Sequence, residues 1–551
     1  MIQPDNATVR PQLSRSPAGP GKTRTQSVLS KMLPHTPFYA TAIILTLLMA
    51  LVYLLNNSSG GPWAWIGLPL DDNWIHLVYA RSLAEQGWFF YNPGIPEAGM
   101  SSPLWVIILA VAYKIFTPLG VTPQWIAKGG GLFFALAVPI AAYHLALRIG
   151  VRRRWAWAVG ILVMIEPNLA YGNVAGMEFP MFTFLTLLAI LLCLRESYLA
   201  CGITLGMLVI TRGEGVPIAL LIGALPFLVL YLKRKNFTIM TRDEFKLGLK
   251  LFLPALIMGG AWALYNHSTG VSFLPNTYIV KHNFALGYFN LENLVNFTTG
   301  YVAHLAWFEG GTWIITLLGV TVAGIRLYKD RAYAPLLLLL AIPIVSVYLF
   351  SINMKFGPEG ILWTYASRRY MDFLLPVIIL LFVTGVEYVW RRLHDISNRW
   401  VVLVAPPALI GIIGFLVYNI AIRNIAFAQL YSWDTENIEQ VSVKMGKWVG
   451  DTLPLNAKIA VTDAGAVRFF ARSDQVIVDF MGLNCRQCVG RPFPELANEI
   501  KPDYLVFFRQ GLNDSFTYEE MYALKPDRVT ILGGGELVAV KLLSLPPWPP
   551  E

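Results

Sequence analysis

Charge is what this sequence has least of: 14% of its 551 residues are Asp, Glu, Lys or Arg, against about 25% in soluble domains. With 55% apolar residues beside that deficit, a single soluble core is excluded and the chain falls in the membrane class. Cysteine is scarce as well. Four residues cannot build a disulfide framework, and Cys193 and Cys201, in or beside apolar runs, read as small hydrophobes. Cys485 and Cys488 form a lone Cys-x-x-Cys with no second pair and no nearby His, which favours a disulfide or two idle thiols over zinc. No internal repeat suggests the inverted halves of a transporter. Met1 to Lys31 is too long and polar to be a signal peptide, so residues 1–37 read as a disordered cytoplasmic tail. A net charge of +9 would suggest nucleic acid in a soluble protein. Here the basic residues sit in short clusters between apolar runs, a pattern that reports topology and argues against a nucleic-acid partner.

What is present is a succession of apolar runs. A crossing takes about 20 apolar residues, and Phe38 to Leu55 supplies the first. The preceding tail carries Arg10, Arg15, Lys22, Arg24 and Lys31 against Asp5 alone, so the positive-inside rule puts it in the cytoplasm and loop 56–102 outside. Arg148 and Arg152 to Arg154 belong inside again, which requires an odd number of crossings where two apolar runs occur. Trp125 to Leu147 is long enough to span. Pro103 to Phe116, short and bounded by prolines, is therefore expected to lie on the membrane or re-enter it from outside. Later clusters at Arg195, Lys233 to Lys235, Arg326 to Arg331 and Arg391 with Arg392 keep the alternation, and a last span lies near Val401 to Ala421. The expectation is a polytopic α-helical membrane domain over 38–422 with about 11 crossings, followed by an external segment, 423–551.

That segment has a different texture. Ile438, Val441, Met445, Trp448 and Val449 share a helical face, and Lys458 to Val461, Gln475 to Phe480 and Tyr504 to Phe508 read as strands, with a hairpin through Gly533 to Gly535. These predict a small extracytoplasmic α/β domain.

The acids of loop 56–102 are the first candidates for chemistry. Asp71 and Asp72 precede Ile75, Val78, Tyr79 and Leu83 at helical spacing, with Gly87 as a stop, so they open a surface helix. One acid is explained as an N-cap. The other, with His76 one turn from Asp72, is placed for general-base work at a membrane interface, where desolvation raises carboxylate pKa values. Asp72 is preferred for its proximity to His76, and Asp71 if the helix starts a residue later. Glu178 in Gly-Met-Glu-Phe-Pro, and Arg212 and Glu214 in Thr-Arg-Gly-Glu-Gly, are ionisable groups at the mouths of spans, serving either a cavity or a helix-locking ion pair. Lys281 and His282, after Leu-Pro-Asn276-Thr-Tyr278, and Arg368 and Arg369, before Tyr370, are external cations outside the positive-inside pattern. They suit a lipid phosphate, as substrate or as headgroup anchor.

Taken in order, these pieces resemble a known family. Asp71-Asp72, Tyr79-Ala80-Arg81, Tyr91-Asn92-Pro93-Gly94 and Ser102-Pro103-Leu104-Trp105 are similar to the first external loop of the GT-C glycosyltransferases. Within that superfamily they resemble the mycobacterial arabinofuranosyltransferases that use decaprenyl-phospho-arabinose. Gly176-Met177-Glu178, Thr211 to Gly215, Leu274-Pro275-Asn276-Thr277, Arg369-Tyr370, Asp463-Ala464-Gly465, Asp479 and Gly482-Leu483 follow in order over most of the chain. The resemblance implies an inverting transferase. A base, Asp71 or Asp72, deprotonates an acceptor hydroxyl; the donor is a sugar on polyprenyl phosphate, and Lys281, His282, Arg368 or Arg369 hold the leaving phosphate. His76, Glu178, Arg212, Glu214, Asn276 and Tyr278 would complete substrate binding. It also implies a multi-pass cell-membrane location and an acceptor glycan or other envelope molecule bound with help from the C-terminal domain. No cofactor is specified, and a divalent cation stays open. Gly213, where the family usually has Pro, and Asn484-Cys485 after Gly-Leu depart from the pattern and leave the sugar open. The reading from another class is a transporter or flippase of lipid-linked sugars, against which stand the long first loop and the large external C-terminal segment.

Overall fold

The computed structural model describes residues 33–234, 241–281, 318–325, 336–353, 369–394, 399–512, 516–530 and 535–545. The apolar runs fold as helices, the arrangement that pairs every backbone N–H and C=O within one segment where no water is available. In order these are α1 (Thr36–Leu54), α2 (Asp72–Gln86), α3 (Pro103–Phe116), α4 (Pro123–Arg148), α5 (Arg153–Ile165), α6 (Pro167–Val174) and α7 (Phe179–Leu194). Then follow α8 (Tyr198–Val209), α9 (Gly215–Arg234), α10 (Arg242–Thr269), α11 (Asn276–Lys281), α12 (Leu336–Asn353), α13 (Leu375–His394) and α14 (Arg399–Asn437). Among the described residues, Thr36–Leu54, Pro123–Arg148, Arg242–Thr269 and Asp372–Leu393 are each long and apolar enough to cross a bilayer. A fifth crossing results if α6 and α7, bent by 117° at their junction, form one span. Of the other crossings expected from the sequence, the last, near Val401 to Ala421, lies within α14, and the rest fall on shorter helices or outside the described residues.

Side-chain contacts sort the helix ends into two groups. At one end His35 Nδ1 meets the Tyr143 hydroxyl at 2.8 Å, Arg148 Nε donates to Leu194 O at 3.2 Å, and buried Glu387 takes both Arg152 and Arg391. The basic clusters of three separate loops therefore lie together. At the other end Lys128 donates to Ala64 O and Trp65 O (2.7 and 2.9 Å), Asn73 Nδ2 donates to Ala175 O (2.8 Å), and Leu104 N donates to Ile210 O (3.1 Å). Helix α3 starts at this second end, and α4 starts there too, so α3 and its turn bring the chain back to the end they left.

Small residues set the close approach of α8 to α10. A Cβ on Gly202 would sit 2.0 Å from Lys250 O, and one on Gly206 2.7 Å from Met258 Sδ. Spaced four apart, they form the small-residue stripe that lets backbones approach in lipid. Gly202→Val is expected to push the helices apart and cost about 1–3 kcal/mol, read as a lower melting temperature of the purified protein. Gly260→Ala, whose Cβ meets nothing within 4 Å, should leave it unchanged.

Helix α14 runs unbroken from Arg399 to Asn437, so a domain boundary drawn at 422/423 falls within it. A π-helical turn, Ile438–Val443, leads into α15 (Lys444–Thr452), whose Met445 and Val449 are buried as the sequence pattern anticipates. Beyond it, β3 (Lys458–Val461), α16 (Ala466–Phe470), β4 (Val476–Asp479), α17 (Phe493–Ile500), β5 (Tyr504–Phe508), β6 (Thr517–Leu524) and β7 (Leu537–Ser544) form a five-stranded sheet. Its order is β4-β3-β5-β7-β6; β3 is parallel to β4 and β5, and β7 is antiparallel to β5 and β6. Period-2 alternation sends Ile459 and Val461 into the core shared with α15, α16 and the membrane helices, and Ala460 to the opposite face with Leu496 and Ala497 of α17. Both faces are covered, so the strands read as unbroken apolar runs.

The loop after α1 locks onto this sheet. Its short ribbon of β1 (Phe90–Asn92) and β2 (Ile95–Pro96) turns at Gly94, φ +77°. Asn92 exchanges two hydrogen bonds with Ile477 on edge strand β4 (2.8 and 3.0 Å), imitating a strand neighbour. The Tyr91 hydroxyl donates to Ala464 O (2.6 Å), and Arg81 donates to Phe469 O (2.9 Å). Helix α2 is consequently not a surface helix. Residues Asn73 to Ala80 are all buried, because α3 covers one side and α16 the other, and only Asn73 and His76 among them are polar.

Candidate functional site

Neither acid of the Asp-Asp pair caps its own helix. Asp71 occupies the N-cap position of α2, yet its side chain turns away to accept Gly465 N at Oδ2 (2.6 Å) and Ala466 N at Oδ1 (2.7 Å), the start of α16. It also faces the carboxyl group of Asp463, two residues before Gly465 on the same turn. Burial, then the charge of Asp463, pushes the Asp71 carboxyl well above its ordinary range.

Asp72 points the other way. Its Oδ2 accepts Arg369 Nη2 at 2.5 Å and Lys281 Nζ at 3.3 Å, and its Oδ1 has no hydrogen-bond partner among the described residues. Burial alone would raise the pKa of this carboxylate. Lys281 and Arg369 outweigh that effect and hold it well below the usual range. Adjacent residues are thus pushed in opposite directions: burial and Asp463 favour the protonated form of Asp71, whereas Asp72 is held charged with a quarter of its side chain (27%) open.

A second network adjoins the first. Glu178, at the bend between α6 and α7, accepts Arg212 Nη1 at 2.5 Å and lies 3.6 Å from His76 Nε2. Arg212 also donates to Glu214 (2.9 and 3.3 Å). The guanidinium lies over Phe179 and Tyr370, 5.1 and 5.0 Å from their ring centroids. Arg369 lies over the same two rings at 5.7 and 5.3 Å. Phe179 and Tyr370 therefore pack both arginines, and the networks form one cluster at the mouth of the helices. Tyr370, despite burial, has its pKa lowered by Lys281 and Arg369. His76 turns to Glu178 at the α6–α7 bend and still contributes to lowering the pKa of Asp72.

Of the remaining sequence candidates, Asn276 is structural in its contacts: its N–H donates to Ala98 O (2.9 Å) and its Oδ1 accepts Val271 N (3.4 Å), fixing the turn into α11 that delivers Lys281. Tyr278 packs against Gly213, where a Cβ would come within 3.3 Å of its ring. His282 and Arg368 lie outside the described residues. Asn484 is held by Asp479 (2.8 and 3.0 Å) and Tyr79 (3.1 Å), and Cys485 and Cys488 form a disulfide beside it. Sequence reasoning quoted Asp463 in a motif without giving it a role and missed Ser442, whose hydroxyl meets Asp463. The signal available was the Asp-Ala-Gly turn after an apolar strand. Among the described residues, no three His, Cys, Asp or Glu side chains converge as a metal-holding group.

The arrangement supplies a charged, partly exposed carboxylate beside two cations. That set can accept a proton and stabilise developing negative charge in the same place. Comparisons with known proteins agree with the fold. Residues 428–540 match a family model described as a domain of unknown function, DUF8728. No curated protein matches the sequence. Among solved structures, the apo ArnT of Cupriavidus metallidurans is similar over 93% of this chain and 98% of its own, at 14% identity and TM-score 0.53. The same protein bound to undecaprenyl phosphate is similar over 95% and 100%, at 15% and 0.54. The apo oligosaccharyltransferase of Archaeoglobus fulgidus is similar over 85% of this chain and 69% of its own, at 13% and 0.54. The chain shares the fold of these structures.

Proposed function

We propose that this protein is an inverting glycosyltransferase of the cell membrane that moves a sugar from a polyprenyl-phosphate donor to a glycan or other envelope acceptor outside the cytoplasm. The observation that carries this reading is Asp72 held between Lys281 and Arg369 with about a quarter of its side chain exposed. Asp72 takes the proton of the acceptor hydroxyl, and the oxygen attacks the anomeric carbon. The bond from that carbon to the phosphate oxygen breaks with inversion, and the lipid phosphate leaves with its charge held by Lys281 and Arg369. The ArnT structure with undecaprenyl phosphate supports a lipid phosphate as ligand for this fold. Arabinofuranose is the sugar the loop motifs favour. Asp71, with both oxygens occupied, is a positioning group.

The test is transfer from radiolabelled decaprenyl-phospho-arabinose to an arabinan acceptor by the purified full chain in lipid vesicles. Labelled glycan is expected from the wild type, with a loss of about 100-fold or more in Lys281→Met/Arg369→Gln. Movement of the donor across the bilayer with no labelled glycan would favour a flippase and overturn the enzyme reading.

A further inference from the structure

Asp463 takes no part in the ion pairs of the site, yet the turn that bears it is built around Asp71. Gly465 N and Ala466 N donate to the two oxygens of Asp71, and the same turn brings the Asp463 carboxyl group to face it. Asp463 is held in turn by the Ser442 hydroxyl, from the π-helical turn that joins α14 to α15, and such turns recur at functional sites. The Tyr91 hydroxyl fixes the next carbonyl, Ala464 O, at 2.6 Å. No side chain larger than hydrogen fits at Gly465, where a Cβ would lie 2.2 Å from Asp71 O. Two ionised carboxylates have no hydrogen to place between them, so this contact needs one proton, which burial of both groups favours keeping.

We propose that Asp463 is a positioning residue: through its contact with Asp71 it docks the C-terminal segment onto the acidic loop and sets where Asp72 stands relative to Lys281 and Arg369. The inference rests on the reading of Asp72 as the base. Because Asp71 and Asp72 are adjacent, release of one carboxylate moves the other, and a displacement near 1 Å costs about 100-fold in rate. The titratable groups facing the pair are Asp72 on the same loop and Tyr91 from β1; beyond Tyr91 lie Arg468 of α16 and Asp479 of β4. The sign follows from the shared proton. Raising the pH removes it, leaves two facing carboxylates and undocks the turn.

Asp463→Asn and Asp463→Ala in the full chain separate the possibilities. Asn keeps an N–H donor for Asp71 and has no proton to lose, whereas Ala removes the group that faces Asp71. Asp463→Ala is expected to lower kcat about 100-fold at unchanged donor KM. Asp463→Asn should restore the wild-type range and abolish the alkaline loss of kcat. Independently of transfer, hydrogen exchange in residues 71–86 should rise with pH beyond the intrinsic base-catalysed rate in the wild type and not in Asp463→Asn. Both variants matching the wild type in kcat, pH profile and exchange would overturn the proposal. If Asp463→Ala does not fold, Asp463→Asn decides by the same two pH readouts. A wild type that transfers no sugar defeats the enzymatic reading alone, and the exchange comparison then upholds or overturns the docking role.

Discussion

Asp72→Asn is expected to lower sugar transfer by about 10²–10⁴-fold while leaving donor binding in place. The amide has the shape of the carboxylate and its oxygen can still accept from Arg369 and Lys281, so the cations stay where they are. What it lacks is the capacity to take a proton. Asp71 cannot substitute, because both of its oxygens are bound to the turn that starts α16. The pH profile carries the sharper expectation. With Lys281 and Arg369 beside it, Asp72 in the free protein is held well below the ordinary carboxylate range, so the acid limb of kcat/KM should lie at the acid edge of the protein's stability. A carboxylate that acidic is a weak base. Arrival of the donor phosphate draws the two cations toward a second anion, raises the proton affinity of Asp72 and makes it a better base when the acceptor is in place. The acid limb of kcat, which reports the loaded site, should therefore lie above that of kcat/KM. Lys281→Met, by removing one cation, should raise the limb of kcat/KM as well. Coincident limbs in the wild type, or wild-type kcat in Asp72→Asn, would rule out this base.

The fold was legible where one physical rule acts alone. Lipid leaves long apolar runs no alternative to helix, and strands buried on both faces show as Lys458 to Val461 and Tyr504 to Phe508, which the structure reproduces residue for residue. It was less legible where two distant segments share a surface. The spacing of Ile75, Val78, Tyr79 and Leu83 looked amphipathic, and nothing local says that α16, nearly 400 residues later, covers the other side of α2. The site divides in the same way. Charged residues at helix mouths were visible because lipid makes them costly, and Glu178, Arg212, Glu214, Lys281 and Arg369 do gather in one cluster. Their pairing was not visible. An N-cap is a local rule, and it gave way at Asp71 because the backbone N–H groups of Gly465 and Ala466 offered that carboxylate two donors at once.

Arg212→Met should produce the largest loss of stability, about 3–5 kcal/mol. The guanidinium is 8% exposed and holds Glu178, 3% exposed, against the bend of α6 and α7. Removing it leaves a buried carboxylate whose nearest partner is His76 at 3.6 Å, and an unpaired buried charge costs more than the intact pair contributes. Glu214, at 21% exposure, can be rescued by water; Glu178 cannot. A fall in melting temperature, and loss of the monodisperse peak on size exclusion, would register the effect. The double variant Arg212→Met/Glu178→Met removes the orphaned charge and should recover most of the stability, a coupling that a double-mutant cycle measures directly. Transfer should not recover with it. Arg212 packs on Phe179 and Tyr370, the same rings that carry Arg369, so without its guanidinium those rings lose the packing that holds them, and Arg369 on them, toward Asp72. A stable double variant with wild-type transfer would confine Arg212 and Glu178 to holding helices together; a stable and slow one would place them in the support of the phosphate-binding cations.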